Sequence, residues 1–219
     1  MEKIKYGLIG SSGRMGLEIE RVMAEAGNDA VLRYDKYGMK KEGTPEVLID
    51  FSSPDTLEKT LELAREMNTA LVIGTTGYND EQLSLINEAS QEIPVVLSYN
   101  YSVGIQMLLK CVEFLSDNLD DWDIEISETH HRFKKDKPSG TALMIRNATG
   151  KSIDIHSLRI GNVAGEHTIS FGGLGEVLTL THSATSRRTF AEGVLKAVNF
   201  ITQKKIGLYS FKDVLFQNS

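Results

Sequence analysis

One cysteine, Cys111, stands among 219 residues. A disulfide framework within the chain is therefore excluded, and a reducing, cytoplasmic setting is the expectation. Positive charge is also in short supply. Lys and Arg number 24 against 30 Asp and Glu, a formal charge of −6 and a pI near 5.4. Nucleic acid is not expected as a partner, because phosphate backbones are met by broad basic surfaces. No apolar run approaches the roughly eighteen residues that cross a bilayer. Met1-Glu2-Lys3-Ile4-Lys5 leads directly into a strand-like run without a signal-peptide core, so no membrane partner is expected. Neither a His-Glu-x-x-His motif nor a cysteine cluster is present, so no metal is expected. Internal repeats, low-complexity tracts and long linkers are missing as well. What remains is 41% apolar and 25% charged, the profile of a globular chain able to bury a core.

The first hundred residues alternate short apolar runs with amphipathic segments. Lys5-Tyr6-Gly7-Leu8-Ile9 reads as a buried strand and breaks at Gly10-Ser11-Ser12-Gly13-Arg14-Met15-Gly16. Leu17, Ile19, Val22 and Met23 then recur at helical spacing. Strand, glycine turn and helix form the setting in which glycines let the backbone approach a pyrophosphate at a helix N-terminus. A second strand, Ala30–Tyr34, ends at Asp35, placed to accept hydrogen bonds from an adenosine ribose, while Lys36 is placed to meet a 2′-phosphate. The pair leaves NADH and NADPH both open. Further strands are predicted at Val47–Phe51, Ala70–Ile73 and Pro94–Leu97. Ser53-Pro54 is a helix start, and Asn79 with Gln82 a capping box. Gly74-Thr75-Thr76-Gly77 and Ser98-Tyr99-Asn100-Tyr101 follow strand ends, where open α/β sheets bind ligands. This βαβ spacing predicts a Rossmann-like, doubly wound parallel sheet over residues 1–101.

The densest chemistry lies further on, in the run from Glu128 to Ala142. His130 and His131 are adjacent, and Arg132, Lys134, Lys135 and Lys137 follow around a single Asp136. The run closes on Pro138-Ser139-Gly140-Thr141 and enters an apolar segment that reads as a helix. Unpaired N–H groups and partial positive charge at a helix start suit an anion. An imidazole beside it titrates near neutral pH and can move protons. Asp123 to Thr129 alternates as a strand, so His130 and His131 face opposite ways unless the strand has ended. An amphipathic helix precedes it through Ile105, Leu108, Leu109, Val112 and Leu115. Ser157–Ile160, His167–Phe171 and Glu176–His182 read as strands of a mainly antiparallel sheet, over which His156, His167 and His182 are scattered. Phe190, Val194, Leu195, Val198 and Ile201 mark a last amphipathic helix. The fold class is thus α/β with a C-terminal α+β domain.

In these motifs and their order the chain resembles the 4-hydroxy-tetrahydrodipicolinate reductase family, also called dihydrodipicolinate reductases, of bacterial lysine biosynthesis. The resemblance runs nearly end to end. It is carried by the glycine loop, Asp50-Phe51-Ser52, Gly74–Gly77, Asn100-Tyr101-Ser102-Val103-Gly104, His130-His131-Arg132-Phe133-Lys134 with Pro138–Ala142, and Gly207-Leu208-Tyr209. It implies a dinucleotide-binding domain over 1–101 with 190–219, and a substrate-binding and oligomerisation domain over 102–189 that builds a homotetramer. It implies hydride transfer from NADH or NADPH to C4 of a cyclic dicarboxylate. By the resemblance, His130 is the general acid and Lys134 a second catalytic donor, while His131, Gly140 and Thr141 bind substrate. Gly10, Ser11, Ser12, Gly13, Arg14, Met15, Asp35, Gly74, Thr75, Thr76, Ser98, Tyr99, Asn100 and Tyr101 bind the cofactor. Three departures stand out: Tyr101 where many members carry phenylalanine, Lys137 beside the proline, and a short span from Lys36 to Glu46. Another Rossmann oxidoreductase leaves His130, Lys134 and the Gly140-Thr141 pair occurring together without a reason. A dinucleotide-sensing regulator ordinarily needs a partner-binding module, and no spare basic recognition helix for DNA stands in the chain.

Overall fold

A computed structural model of the chain describes residues 3–216. It divides into two units, one of residues up to Tyr101 together with those from Arg188 onward, the other Ser102–Arg187. In the first unit, β1 (Lys5–Ile9) is buried at every position after Lys5. Helix α1 (Arg14–Glu25) buries Gly16, Ile19, Val22 and Met23. Leu17, grouped with that face in the sequence, is instead 60% exposed. It follows Gly16 by one residue, about 100° round the helix and off the apolar stripe.

Strand β2 (Asp29–Asp35) is followed by β3 (Gly38–Lys41), which sequence reasoning left as part of a short connection. All four β3 residues are exposed and two are lysines, so no alternation marks it. It pairs antiparallel with β2 at the sheet edge, where charge discourages further strand addition. Then come β4 (Val47–Asp50), a 3₁₀ turn (Pro54–Thr56) capped by Ser53, α2 (Leu57–Glu66), β5 (Ala70–Ile73), α3 (Asp80–Ala89) and β6 (Pro94–Leu97). Both hydrogen bonds of the Asn79–Gln82 capping box are formed.

The second unit holds α4 (Val103–Asn118), β7 (Asp123–His130), α5 (Gly140–Ala148), β8 (Ile155–Arg159), β9 (Glu166–Gly172) and β10 (Val177–Ser183). Its sheet runs β10-β9-β7-β8. Pairing is antiparallel except between β7 and β8, which are parallel. Ile105, Val112, Ile126, Ile145, Ile169 and Phe171 form the core between the helices and this sheet.

The chain rejoins the first unit with α6 (Arg188–Ile201), β11 (Gly207–Tyr209) and α7 (Phe211–Leu215). The seven-stranded sheet is ordered β11-β6-β5-β4-β1-β2-β3 and is parallel except for β3. Strands β4 and β5 are buried along their whole length, as continuous apolar runs flanked by helices should be. Among the described residues, no helix is long and apolar enough to cross a membrane.

Gly193 sets how closely α6 packs. A Cβ there would lie 1.7 Å from the Tyr101 carbonyl oxygen, and backbone cannot yield as a flexible side chain can. Gly193→Ala is therefore expected to destabilise the chain by about 1–3 kcal/mol through overpacking. Gly175→Ala, where nothing lies within 4 Å, serves as the control. Urea unfolding checks this: equal midpoints for the two variants would contradict the packing described.

Candidate active site

The ends of the parallel strands gather the first group of residues. Gly10 has φ +83°, and its N–H donates to the Tyr34 carbonyl at 2.7 Å. A Cβ at Gly10 would lie 2.3 Å from the Phe51 carbonyl oxygen, and one at Gly16 2.3 Å from the Gly10 carbonyl oxygen. Only glycine allows the loop to fold this tightly against β4 and α1. The N-cap of α1 is Gly13, which offers no side-chain cap. A helix start without a side-chain cap suits an anion. Ser12, Gly13 and Arg14 are exposed beside it, and Met15 is half-buried.

Asp35 ends β2 within reach of the same loop. Ser11 Oγ donates to its Oδ2 at 3.0 Å and the Tyr37 N–H to its Oδ1 at 2.9 Å. The Tyr37 bond above all, with help from Ser11, holds this carboxyl below its ordinary value, so it is an acceptor at neutral pH.

The Gly74–Thr76 segment is held from beneath by Asp50, a residue to which the sequence reading assigned no task. Asp50 is fully buried. Its Oδ1 accepts from the Ser52 N–H at 3.0 Å, from Thr75 Oγ1 at 2.9 Å and from Ser52 Oγ. Burial pushes the Asp50 carboxyl up, against the pull of the Ser52 and Thr75 bonds. Gly74 has no room for a side chain: its Cβ would lie 2.1 Å from the Phe51 ring. Thr76 is exposed beyond it.

Ser98 and Asn100 are buried, whereas Tyr99 is 40% exposed. Tyr101 is 1% exposed, its ring between Phe51 and Phe211 at centroid distances of 5.7 and 5.1 Å. Its hydroxyl, the atom by which it departs from phenylalanine, donates to the Ile73 carbonyl at 2.7 Å. The side chain of Tyr101 therefore serves the core, and its carbonyl packs against Gly193 of α6.

In the second unit, β7 ends at His130, so His131 lies beyond the strand and is free of the alternation rule. Within β7, Ile126, Glu128 and His130 share the buried face. Glu128 is 1% exposed and Arg159 meets it with two parallel bonds, Nη1 to Oε2 at 2.9 Å and Nη2 to Oε1 at 2.8 Å. The parallel register that sets His130 opposite Arg159 brings this pair together. His130 Nδ1 also meets Glu128 Oε2, and the Ser139 N–H donates to Oε1 at 3.3 Å. Burial alone would push Glu128 up, but its hydrogen bonds from Arg159 and His130 bring it down to about 2.

The His167 ring stands edge-on to His130 with centroids 5.1 Å apart, and its Nε2 is 3.2 Å from Ser139 Oγ. His167 is thus not a scattered histidine: antiparallel pairing sets it opposite Glu128. Ser139 caps α5 through the Ala142 N–H at 3.2 Å. Gly140 and Thr141 open that helix. Lys134 Nζ pairs with Asp136 at 2.9 Å, and Arg159 Nη2 donates to the Asp136 carbonyl. Arg132, Lys135 and Lys137 are exposed. Burial lowers His130 despite the raising effect of Glu128, with Lys134 and Arg159 adding to the fall. Burial also lowers His167, to about 3, with the His130 charge adding to it. Among the described residues no group of three or more His, Cys, Asp or Glu is arranged to hold a metal ion.

A glycine-turned helix start on a parallel sheet, in a chain that also carries a unit with a buried His–Glu–Arg cluster, fits the class of nucleotide-binding oxidoreductases. Comparison narrows this. The model "Dihydrodipicolinate reductase, N-terminus" matches residues 27–101 and "Dihydrodipicolinate reductase, C-terminus" residues 104–215. A 4-hydroxy-tetrahydrodipicolinate reductase of Thermosipho africanus is 44% identical over 212 residues, covering 97% of this chain and 98% of the relative. One from Bdellovibrio bacteriovorus is 40% identical over 229 residues, covering 100% and 99%. The chain belongs to the dihydrodipicolinate reductase family. Its fold is shared with a dipicolinate-bound dihydrodipicolinate reductase from Paenisporosarcina sp. TG-14, at TM-score 0.78 and 24% identity over 97% of this chain and 99% of that one.

The buried groups make the second unit sensitive to acid. An unfolded histidine takes a proton near pH 6.5, whereas folded His167 resists until about 3. Stability contributed by neutral His167 is therefore complete above that unfolded value and lost as pH falls through the window. Glu128 contributes in the same direction lower down, between its ordinary 4.5 and about 2. The unfolding midpoint is expected to fall from pH 6.5 toward pH 4.5 in wild type and to fall less in His167→Gln. Parallel pH dependences would contradict burial of a neutral His167.

Proposed function

We propose that this chain reduces 4-hydroxy-tetrahydrodipicolinate to tetrahydrodipicolinate with NADH or NADPH, in the diaminopimelate route to lysine. The observation that carries the reading is the joining, through Glu128, of the His130 imidazole to the Ser139 turn that opens α5. Full-length relatives bearing that name support it. So do the backbone features suited to a dinucleotide: left-handed Gly10, the uncapped start of α1, and ionised Asp35.

When bound, the reduced nicotinamide supplies a hydride for C4 of the substrate ring. The chain's own residues do the rest. The Gly10–Met15 loop, Asp35, Gly74–Thr76 and the Ser98–Tyr101 segment bind and orient the dinucleotide. Asp35 favours ribose hydroxyls, and Lys36 beside it offers a charge to a 2′-phosphate, so both cofactors are read as donors. Gly140 and Thr141 hold one substrate carboxylate at the start of α5, where N–H groups and the helix dipole favour an anion. His131 contacts the substrate from the turn after β7.

The reaction consumes one proton and releases the ring hydroxyl as water. Lys134 serves as the second donor, and His130 takes and returns a proton at Nε2. In the unliganded chain His130 is held below its ordinary value. A dicarboxylate set at α5 adds negative charge nearby and favours the imidazolium. Charge developing on the ring is then met by positioned cationic donors rather than by water.

The second unit is also read as the assembly surface of a homotetramer. Val177, Leu178 and Leu158, on the edge strands β10 and β8, are exposed.

The test is absorbance at the nicotinamide band with freshly made condensation product of pyruvate and aspartate semialdehyde, run with each reduced cofactor. Wild type is expected to oxidise at least one of them, and Lys134→Ala to lose about a hundred-fold or more of the rate. Binding of NADH without any oxidation would overturn the reading in favour of a dinucleotide sensor.

A further inference from the structure

Glu128 is fully engaged inside the second unit, its two oxygens having about four lone-pair sites between them. Its two oxygens together meet both Arg159 terminal nitrogens, the Ser139 N–H and His130 Nδ1. Arg159 extends the same hub to the Asp136 carbonyl, one residue away in contact from Lys134, which pairs with the Asp136 carboxylate. His130, the Ser139 turn and the Lys134–Asp136 pair are thus all tied to one ion pair whose side chains are 0% and 6% exposed.

We propose that Glu128, locked by Arg159, is a positioning residue that fixes the proton of neutral His130 on Nδ1 and leaves Nε2 as the nitrogen that exchanges protons. A carboxylate only accepts, so the ring nitrogen facing it must be the one that donates. Arg159 only donates, so the carboxylate cannot be satisfied by turning away. At the other edge of the ring, Nε2 lies against Gly165, where an added Cβ would come within 3.1 Å of it and crowd that nitrogen. The His167 ring flanks the imidazole edge-on and closes off rotation. The inference rests on His130 being the proton-moving group, but its first readout does not depend on activity.

That readout is ¹⁵N NMR of the His130 side chain in the substrate-free protein at a pH where it is neutral. The Nδ1–H tautomer is expected in wild type. In Glu128→Gln the single amide oxygen goes to the two donors at the Oε1 position, Arg159 Nη2 and Ser139 N–H. The amide NH₂ then faces Nδ1, and the ring is expected to switch to Nε2–H. Glu125→Gln, an exposed site on the same strand, is expected to leave the tautomer as in wild type. With the proposed substrate, Glu128→Gln should lose about ten- to a hundred-fold in kcat, with the KM for the reduced cofactor within two-fold of wild type. A merely structural role would lower stability without switching the tautomer. Nε2–H in wild type, or Nδ1–H persisting in Glu128→Gln, overturns the proposal. Should Glu128→Gln fail to fold, the wild-type spectrum alone decides. An enzyme inactive on the proposed substrate but showing the switch would sink the functional reading and keep the positioning one.

Discussion

A carboxylate removed from water is costly unless donors surround it, and breaking such a pair costs several kcal/mol because an unpaired charge is left behind. Glu128 is in that position: its side chain is 0% exposed, and four donors converge on it from Arg159, Ser139 and His130. Those donors come from β7, β8 and the turn that opens α5. The ion pair therefore couples strand register to the placement of an imidazole and of a helix start. If it were lost, the strands could still pair, but the His130 imidazole and the start of α5 would have no common anchor.

The first unit uses the same device on a smaller scale. Asp50 is buried at the end of β4 and gathers Ser52 and Thr75 onto one oxygen. Through Thr75 it holds the Gly74–Thr76 segment at the end of β5, and through Ser52 the backbone against which Gly10 packs. Two loops that follow different strands thus share one acceptor. In both units a buried acid arranges loops at strand ends. Lys134 and Tyr99, by contrast, remain partly exposed.

Most of the fold was legible because it depends on local patterns. Apolar runs gave β1, β4, β5 and β6, capping residues Ser53 and Asn79 marked helix starts where the structure has them, and the Pro138–Thr141 run led into α5. Strand β3 was not legible, since four exposed residues carry no periodicity. The candidate site was legible where its residues lie together in one run, from His130 to Thr141. It was not where partners are distant in the chain. Arg159 lies 31 residues from Glu128, and Thr75 25 from Asp50. His167 was read as one of several scattered histidines, and only the β7–β9 register brings it beside His130. One signal was available. Period-two alternation sets Glu128 and His130 on the same face as Ile126, and two polar groups on a face that must be buried require partners.

The central claim is that Glu128 and Arg159 act as one unit upon His130. A double-mutant cycle in kcat/KM, with Glu128→Gln, Arg159→Met and the double variant, tests it most directly. The account predicts strong non-additivity, the double variant being no slower than the slower single variant, because either change already frees the imidazole. Two losses that multiply would contradict it.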